Sequence, residues 1–549
     1  MKKLAAALLF QIILISATAQ AFRNPILAGY YPDPSICRAG DDYYIVNSSF
    51  AYYPGLPLFH SKDLLNWKQI GYAMDRPEQL NLDGAGVSRG LFAPSISYHN
   101  GTFYIVCTEV SKLGNFVITA KDPKGPWSNP YKLPQVNGID PSLFFDDNGK
   151  AYIVFNSIPP NNISLHNGHR TIRMFEFDPV QMKVVGEEKL LVNGGTDMAK
   201  KPVWIEAPHI IKKDGWYYLI CAEGGTGYDH SEVVFRSKSP EGPFISYENN
   251  PILTQRQLDP NRKNPITTAG HADFVEGKDG KWWGVFLACR PYEGDYYNAG
   301  RETFMAPVVW KNGWPSFDLG GDEVKYSYPI NAKLDTKLEA FNGNYLFKDE
   351  FNQPSLNVRY QFLRTVRTNW YNLTDKKGSL SLLLQPETCG GRGNPSLVSF
   401  HQPHLKGHAA TAISFSPNAE NEKAGLLLFQ NERTYYYLCQ SVKDGQPVIE
   451  LYKADTLVKS VPVQLQKGQE VQFKIEARTD QYAFFYATEK GKWQLMQENV
   501  DARYLSTKSA GGFVGCVYGM YATSKGKPSE NKAFFNWFEI KNDDDVYKK

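Results

Sequence analysis

Several features are scarce in this 549-residue sequence, and each scarcity removes a class of protein. The net charge is only +3, from 60 Lys and Arg against 57 Asp and Glu. The two signs are interspersed, which leaves no electrostatic footprint for nucleic acid. Cysteine occurs only seven times, as Cys37, Cys107, Cys221, Cys289, Cys389, Cys439 and Cys516. None has metal-ligand spacing, and an odd count leaves at least one unpaired. Most sit inside apolar, strand-like runs, so buried free thiols are expected. Past the N-terminus no apolar run is long enough to cross a membrane as a helix. There is no low-complexity tract.

The N-terminus is the exception. Lys2 and Lys3 precede an almost wholly apolar stretch from Leu4 to Ala17, and Ala19-Gln20-Ala21 has the small-x-small form of a cleavage site. The stretch is too short to span a bilayer comfortably. Residues 1–21 therefore read as a signal peptide, with the mature chain exported to the periplasm or beyond and not inserted in a membrane. No cysteine follows closely enough to suggest a lipoprotein. Removing Lys2 and Lys3 takes away two of the three net positive charges.

Aromatic residues are abundant, with 33 Tyr and 32 Phe. They favour strands, and they also form surfaces on which sugars stack. They recur in a pattern. Asp33-Pro34-Ser35-Ile36 is followed by Gly40 and Tyr43-Tyr44-Ile45-Val46. Ala93-Pro94-Ser95-Ile96 is followed by Gly101 and Phe103-Tyr104-Ile105-Val106. Asp140-Pro141-Ser142-Leu143 leads to Gly149 and Ala151-Tyr152-Ile153-Val154. Ala207-Pro208-His209-Ile210 leads to Gly215 and Tyr217-Tyr218-Leu219-Ile220. A weaker fifth copy runs from His271-Ala272-Asp273-Phe274 through Gly280 to Trp282-Trp283-Gly284-Val285.

Each copy is a strand, a tight turn and a second strand, and turns such as Asn100-Gly101 and Asp214-Gly215 are strong hairpin signals. A further strand pair follows, as in Leu58 to Trp67 and Val117 to Trp127. The unit is about four strands, uninterrupted by any long amphipathic helix. Four-stranded units repeated radially are propeller blades. Five copies predict an all-β, five-bladed β-propeller over residues 22–325. A polar linker over 326–345 is expected next. Short strands then alternate with turns over 346–549, the pattern of an antiparallel β-sandwich.

The opening residues of the five copies are Asp33, Ala93, Asp140, Ala207 and His271, with Glu206 one residue ahead of Ala207. In a propeller the innermost strands line a central channel, so equivalent positions converge at one rim. One Asp beside a proline can be plain turn chemistry. Three carboxylates at equivalent or adjacent positions are much harder to dismiss, and two carboxylates facing a sugar are the working parts of a glycosidase. Glu206 lies between Trp204-Ile205 and Ala207-Pro208, a setting that favours its protonated form and suits a general acid. Asp33 is then the general base, and Asp140 a neighbouring charge that holds and orients Glu206.

These stretches are similar to known signatures. Tyr31-Pro32-Asp33-Pro34-Ser35, Ile139-Asp140-Pro141-Ser142 and Ile205-Glu206-Ala207-Pro208-His209 resemble the three acidic motifs of glycoside hydrolase family 43. Gly270-His271-Ala272-Asp273, Gly300-Arg301-Glu302-Thr303 and Ala222-Glu223-Gly224-Gly225-Thr226-Gly227 resemble three further family motifs. Glu422-Lys423-Ala424-Gly425-Leu426 and Tyr435-Tyr436-Tyr437-Leu438 extend the likeness into the second domain, toward two-domain β-xylosidases and α-L-arabinofuranosidases. The resemblance implies an exo-acting, inverting hydrolase releasing xylose or arabinofuranose from hemicellulose oligosaccharides, with Arg301 bonding the sugar. It implies that His271 lines the channel floor near an axial water or a calcium ion, with no cofactor required. Thr226, Phe50, Phe92 and Ile139 are the remaining expected substrate contacts.

Phe92 and Ile139 stand where the relatives often carry Trp and Phe, so the preferred sugar stays open. A sandwich loop closes the pocket in the relatives. Gly512-Phe513-Val514-Gly515-Cys516-Val517-Tyr518 is a candidate, although an interior strand is the favoured reading of that stretch. Two alternatives stand beside this one. A fructan-hydrolase-like retaining enzyme would need an Asn-Asp-Pro-Asn-Gly nucleophile motif, which is absent. A non-catalytic carbohydrate-binding propeller would be favoured by loss of one of the three acids, and none is lost.

Overall fold

The computed structural model describes residues 20–548. Most of the expected signal peptide, residues 1–19, lies outside them. The first half is a five-bladed β-propeller. Its first blade is Ser35–Ala39, Asp42–Val46, Gly55–Ser61 and Lys68–Met74, in that order from the axis outward. Innermost strands of the other four are Ser95–His99, Gly138–Phe145, Glu206–Lys213 and Thr267–Glu276, and each blade is built from one contiguous stretch of chain. Successive innermost strands neighbour one another, and the fifth returns to the first, closing the ring.

Turn chemistry sets the hairpins. Asn100-Gly101 and Asp214-Gly215 have φ of 48° and 73°, and 50° and 72°. Both central residues are left-handed, as a two-residue turn between right-twisted strands requires. Side chains fasten the ring between blades. Asp273 in the fifth blade accepts from Ser35 Oγ at 2.7 Å and from the Ile36 N–H at 2.9 Å in the first. Ser142 Oγ donates to the Pro208 carbonyl at 2.5 Å, joining the third blade to the fourth.

The second half is a sandwich of two antiparallel eight-stranded sheets. One sheet ends on a strand from the propeller, Tyr52–Tyr53, paired with Phe362 and Leu363. One continuous buried apolar cluster crosses the boundary between the domains. At the same boundary Arg290 of the propeller donates to Glu302 at 2.6 and 2.9 Å and to Asp544 of the sandwich at 2.8 Å. Residues 326–345 are tied down as well. Ser327–Ile330 pairs with Gln20–Arg23, and Phe341 is buried against Tyr31 and Phe59. Cleavage after Ala21 would leave Phe22 and Arg23 of that pairing. All seven cysteines are buried free thiols. No helix among the described residues is long and apolar enough to cross a membrane.

Candidate active site

The position that opens the repeat has a shared backbone conformation in four of the five copies. Asp33, Asp140, Ala207 and His271 have φ of 51°, 53°, 51° and 55°. This left-handed geometry is uncommon outside Gly, Asn and Asp, and at Ala207 and His271 it marks a locally constrained backbone. It also breaks the strand ladder. Pairing lapses between Ile139 and Ser142, between Glu206 and His209, and between Gly270 and Asp273. The chain turns there, so the side chains lie at the channel mouth. In the fourth blade Ala207 takes the strained position, and Glu206 reaches the mouth from one residue earlier, where it pairs with Ala222.

There, a cavity of about 340 Å³ has Asp33, Asp140 and Glu206 in its wall, at the small end of ligand pockets. His271, Arg301 and Thr226 add polar groups, and Phe50, Phe92 and Ile139 add apolar ones. Every candidate site residue of the sequence analysis thus meets in one place. Trp204 and Phe513 also line it.

The three acids have unequal settings. Asp33 accepts from Arg301 Nη1 at 2.6 Å through one oxygen and from Ser48 Oγ through the other. Among the described residues the Glu206 carboxyl has only the Thr226 hydroxyl as a hydrogen-bond partner, at 3.4 Å. Burial, then the charge of Asp33, pushes the Glu206 carboxyl up to about 7. Burial, then the charges of Glu206 and Asp33, also holds Asp140 well above the usual carboxylate range. Two adjacent buried carboxyls that both resist ionisation retain a proton between them near neutral pH. The Ala207 N–H faces Asp140 and favours its charged form. Glu206 has no backbone donor of that kind among the described residues.

Burial also pushes the His271 imidazole down to about 3, so it is neutral, with Nδ1 3.8 Å from Asp33 Oδ1. Its other titratable neighbours are His230, His209 and Arg301. Calcium takes about six to eight oxygen ligands. Here the nearby donors are mainly nitrogen, and the one close carboxylate oxygen is already held by Arg301. This set does not fit calcium, and no group of three or more metal-ligating side chains occurs among the described residues.

Phe513 corrects the favoured reading of its segment. The interior strand begins only at Val517, and the residues before it form a loop. The loop reaches from the sandwich onto the propeller. The Phe513 N–H donates to Ser88 Oγ at 3.0 Å, and the Cys516 N–H donates to the Asn298 carbonyl at 2.7 Å. The Phe513 carbonyl accepts from Arg301 Nη2 at 3.3 Å, and its ring stacks on Phe50 at 6.0 Å. Two glycines permit the approach. A β-carbon on Gly515 would lie 2.5 Å from the Ala299 carbonyl oxygen, and one on Gly512 would lie 2.3 Å from Ser88 Oγ.

A paired set of buried acids in a small sugar-sized cavity has its counterpart in known proteins. The sequence profile described as Glycosyl hydrolases family 43 matches residues 22–315. The chain belongs to glycoside hydrolase family 43. A second profile, the Beta xylosidase C-terminal Concanavalin A-like domain, matches residues 348–541. The chain is 40% identical over 529 residues to a "Xylosidase/arabinosidase" of Butyrivibrio fibrisolvens, covering 94% of this chain and 98% of that one. It is 37% identical to a "Non-reducing end alpha-L-arabinofuranosidase" of Bacteroides ovatus, covering 96% of each. The solved xylan β-1,4-xylosidase of Bacillus halodurans superposes with a TM-score of 0.86 at 30% identity, covering 95% of this chain and all of that one.

This family 43 glycosidase has two aromatic cavity residues, Trp204 and Phe513, that the sequence reading did not assign as site residues. Phe513 lies in a segment with two plausible structures and no repeat to fix its place. Trp204 stands outside the repeat unit, although its position two residues before the acidic Glu206 was a usable signal.

Proposed function

We propose that the enzyme removes single pentose units, arabinofuranose or xylose, from the non-reducing ends of hemicellulose oligosaccharides, with inversion at the anomeric carbon. The carrying observation is the cavity itself. It is small, three carboxyls line it, and the Phe513 loop covers one side, which suits one terminal sugar and not the middle of a chain. The relatives named for xylosidase and arabinosidase activities support the pentose.

Glu206, holding its proton to about pH 7, donates it to the glycosidic oxygen as the bond to the anomeric carbon breaks. That electron pair stays on the leaving oxygen. Asp33 takes a proton from a water whose oxygen bonds to the anomeric carbon from the opposite face. Inversion of this kind places the two carboxyls roughly 6.5–9.5 Å apart. Asp140, in the same cavity wall, keeps Glu206 oriented. Arg301 holds Asp33 in place through the 2.6 Å hydrogen bond from its Nη1, and its side chain lines the cavity beside the glycone. Phe50, Phe92, Ile139 and Phe513 exclude water from the glycone. The leader pattern of residues 1–21 supports action outside the cytoplasm.

Proton NMR of the first product from a pentoside of known configuration tests this reading. The inverted anomer is expected first. A first product with retained configuration would instead support the fructan-hydrolase-like mechanism. A panel of aryl and oligomeric arabinofuranosides and xylosides separates the two pentoses.

A further inference from the structure

Blade topology decides which loops surround the cavity. Each innermost strand begins at the channel mouth, so connections between second and third strands, and from one blade to the next, lie on that face. Two such connections meet beside Glu206. One joins Ala151–Ser157 to Thr171–Asp178 in the third blade, and the other joins Lys183–Asn193 to Glu206–Lys213.

They are bound to each other at several points. The Trp204 N–H donates to the Gly168 carbonyl at 2.8 Å, and His166 Nε2 lies 2.6 Å from the Pro202 carbonyl oxygen. A β-carbon on Gly168 would lie 2.8 Å from the Val203 side chain, so only glycine lets the loops close. The Arg170 guanidinium lies 3.9 Å from the Trp204 ring centroid. Trp204 has φ of 52°, a conformation unusual for a bulky residue and one that marks a functional constraint.

Both side chains have unused capacity. Arg170 forms no ion pair among the described residues, and its one side-chain hydrogen bond there is to the neighbouring His169 carbonyl. No acceptor among the described residues meets the Trp204 indole N–H. The third-blade connection leaves Leu165 65% exposed, an apolar group with no core role. Trp204 lines the cavity two residues before the proposed acid, and Arg170 is close enough for its charge to bear on Glu206.

We propose that Trp204 and Arg170 form the binding platform for the leaving group, the sugar unit to which the released pentose was attached. This rests on the assignment of Glu206 as acid, because the acid must face the leaving oxygen, and whatever lies beyond it on that side contacts the departing chain. A pyranose suits the platform chemically. Its C–H face packs on an indole, and its hydroxyls accept from the guanidinium and the indole N–H.

The test compares a pentosyl fluoride, whose leaving group has no sugar, with an oligosaccharide bearing the same terminal pentose. Trp204→Ala and Arg170→Ala should each lower kcat/KM on the oligosaccharide about tenfold more than on the fluoride, the scale of one lost aromatic or charged contact. Trp204→Phe should recover most of the loss. Equal losses on both substrates, or no loss on either, would overturn the platform. Wild-type enzyme that hydrolyses neither substrate would instead overturn the pentosidase reading beneath it.

Discussion

Arg301 from the fifth blade donates to Asp33 from the first at 2.6 Å, with both side chains almost fully buried. The pair spans the point where the ring closes. Removing one partner of such a pair strands a charge away from water, at a cost of about 3–5 kcal/mol, whereas replacing both with apolar groups is often neutral. Arg301→Met should therefore lower the unfolding midpoint sharply, and the Asp33→Leu, Arg301→Met double variant should recover most of it. Both variants should be inactive. Thermal melts beside activity assays separate the two effects.

The Glu206 carboxyl, raised to about 7 from its ordinary value, predicts a pH profile. The reaction needs it protonated, so kcat/KM should fall above about pH 7, since that ratio follows the free enzyme. Stability has a matching sign. The folded state binds this proton more tightly than the unfolded chain, so the group's contribution is complete below the ordinary carboxylate range and fades as pH rises through 7. Glu206→Gln should remove that slope, with its gain in melting temperature over wild type growing from pH 5 to pH 8. A constant difference across that range would contradict the raised value.

Phe513 should govern sugar binding from the other domain. Phe513→Ala should raise KM for pentosides about tenfold with little change in melting temperature, because the ring is 42% exposed and contributes little to the core. Gly515→Val should also raise KM, by displacing the loop from the Ala299 carbonyl, and should lower the melting temperature because the new side chain meets backbone. Steady-state kinetics of the two variants check this.

The Arg290, Glu302 and Asp544 cluster and the shared apolar cluster predict that the domains unfold as one unit. A single calorimetric transition is expected. Arg290→Met should lower its midpoint by several degrees, because two buried carboxylates lose their partner.

Much of this was legible in the sequence because a propeller converts a repeat into a place. Asp33, Asp140 and His271 occupy one position of the repeat, so their convergence follows from counting blades. Glu206 needed only its adjacency to that position. The left-handed backbone that turns these residues into the mouth was not legible at Ala207 or His271, because neither residue type advertises it. Phe513 was legible only as a candidate, since its role depends on how the sandwich docks, and docking is written in scattered contacts such as Arg290 with Asp544. Trp204 was hidden for a similar reason. Its partner Arg170 comes from a neighbouring connection outside the repeat.

The assignment of Glu206 as the acid is tested most directly by Glu206→Ala assayed on substrates that differ only in their leaving group. Hydrolysis of natural oligosaccharides should fall by about 10²–10⁴-fold, the span of general acid catalysis. A pentosyl fluoride, whose leaving group needs no proton, should be cleaved at a rate near that of wild type, and the variant should melt as a folded protein. Full activity of the folded variant on the oligosaccharide, or an equal loss on the fluoride, would contradict the account.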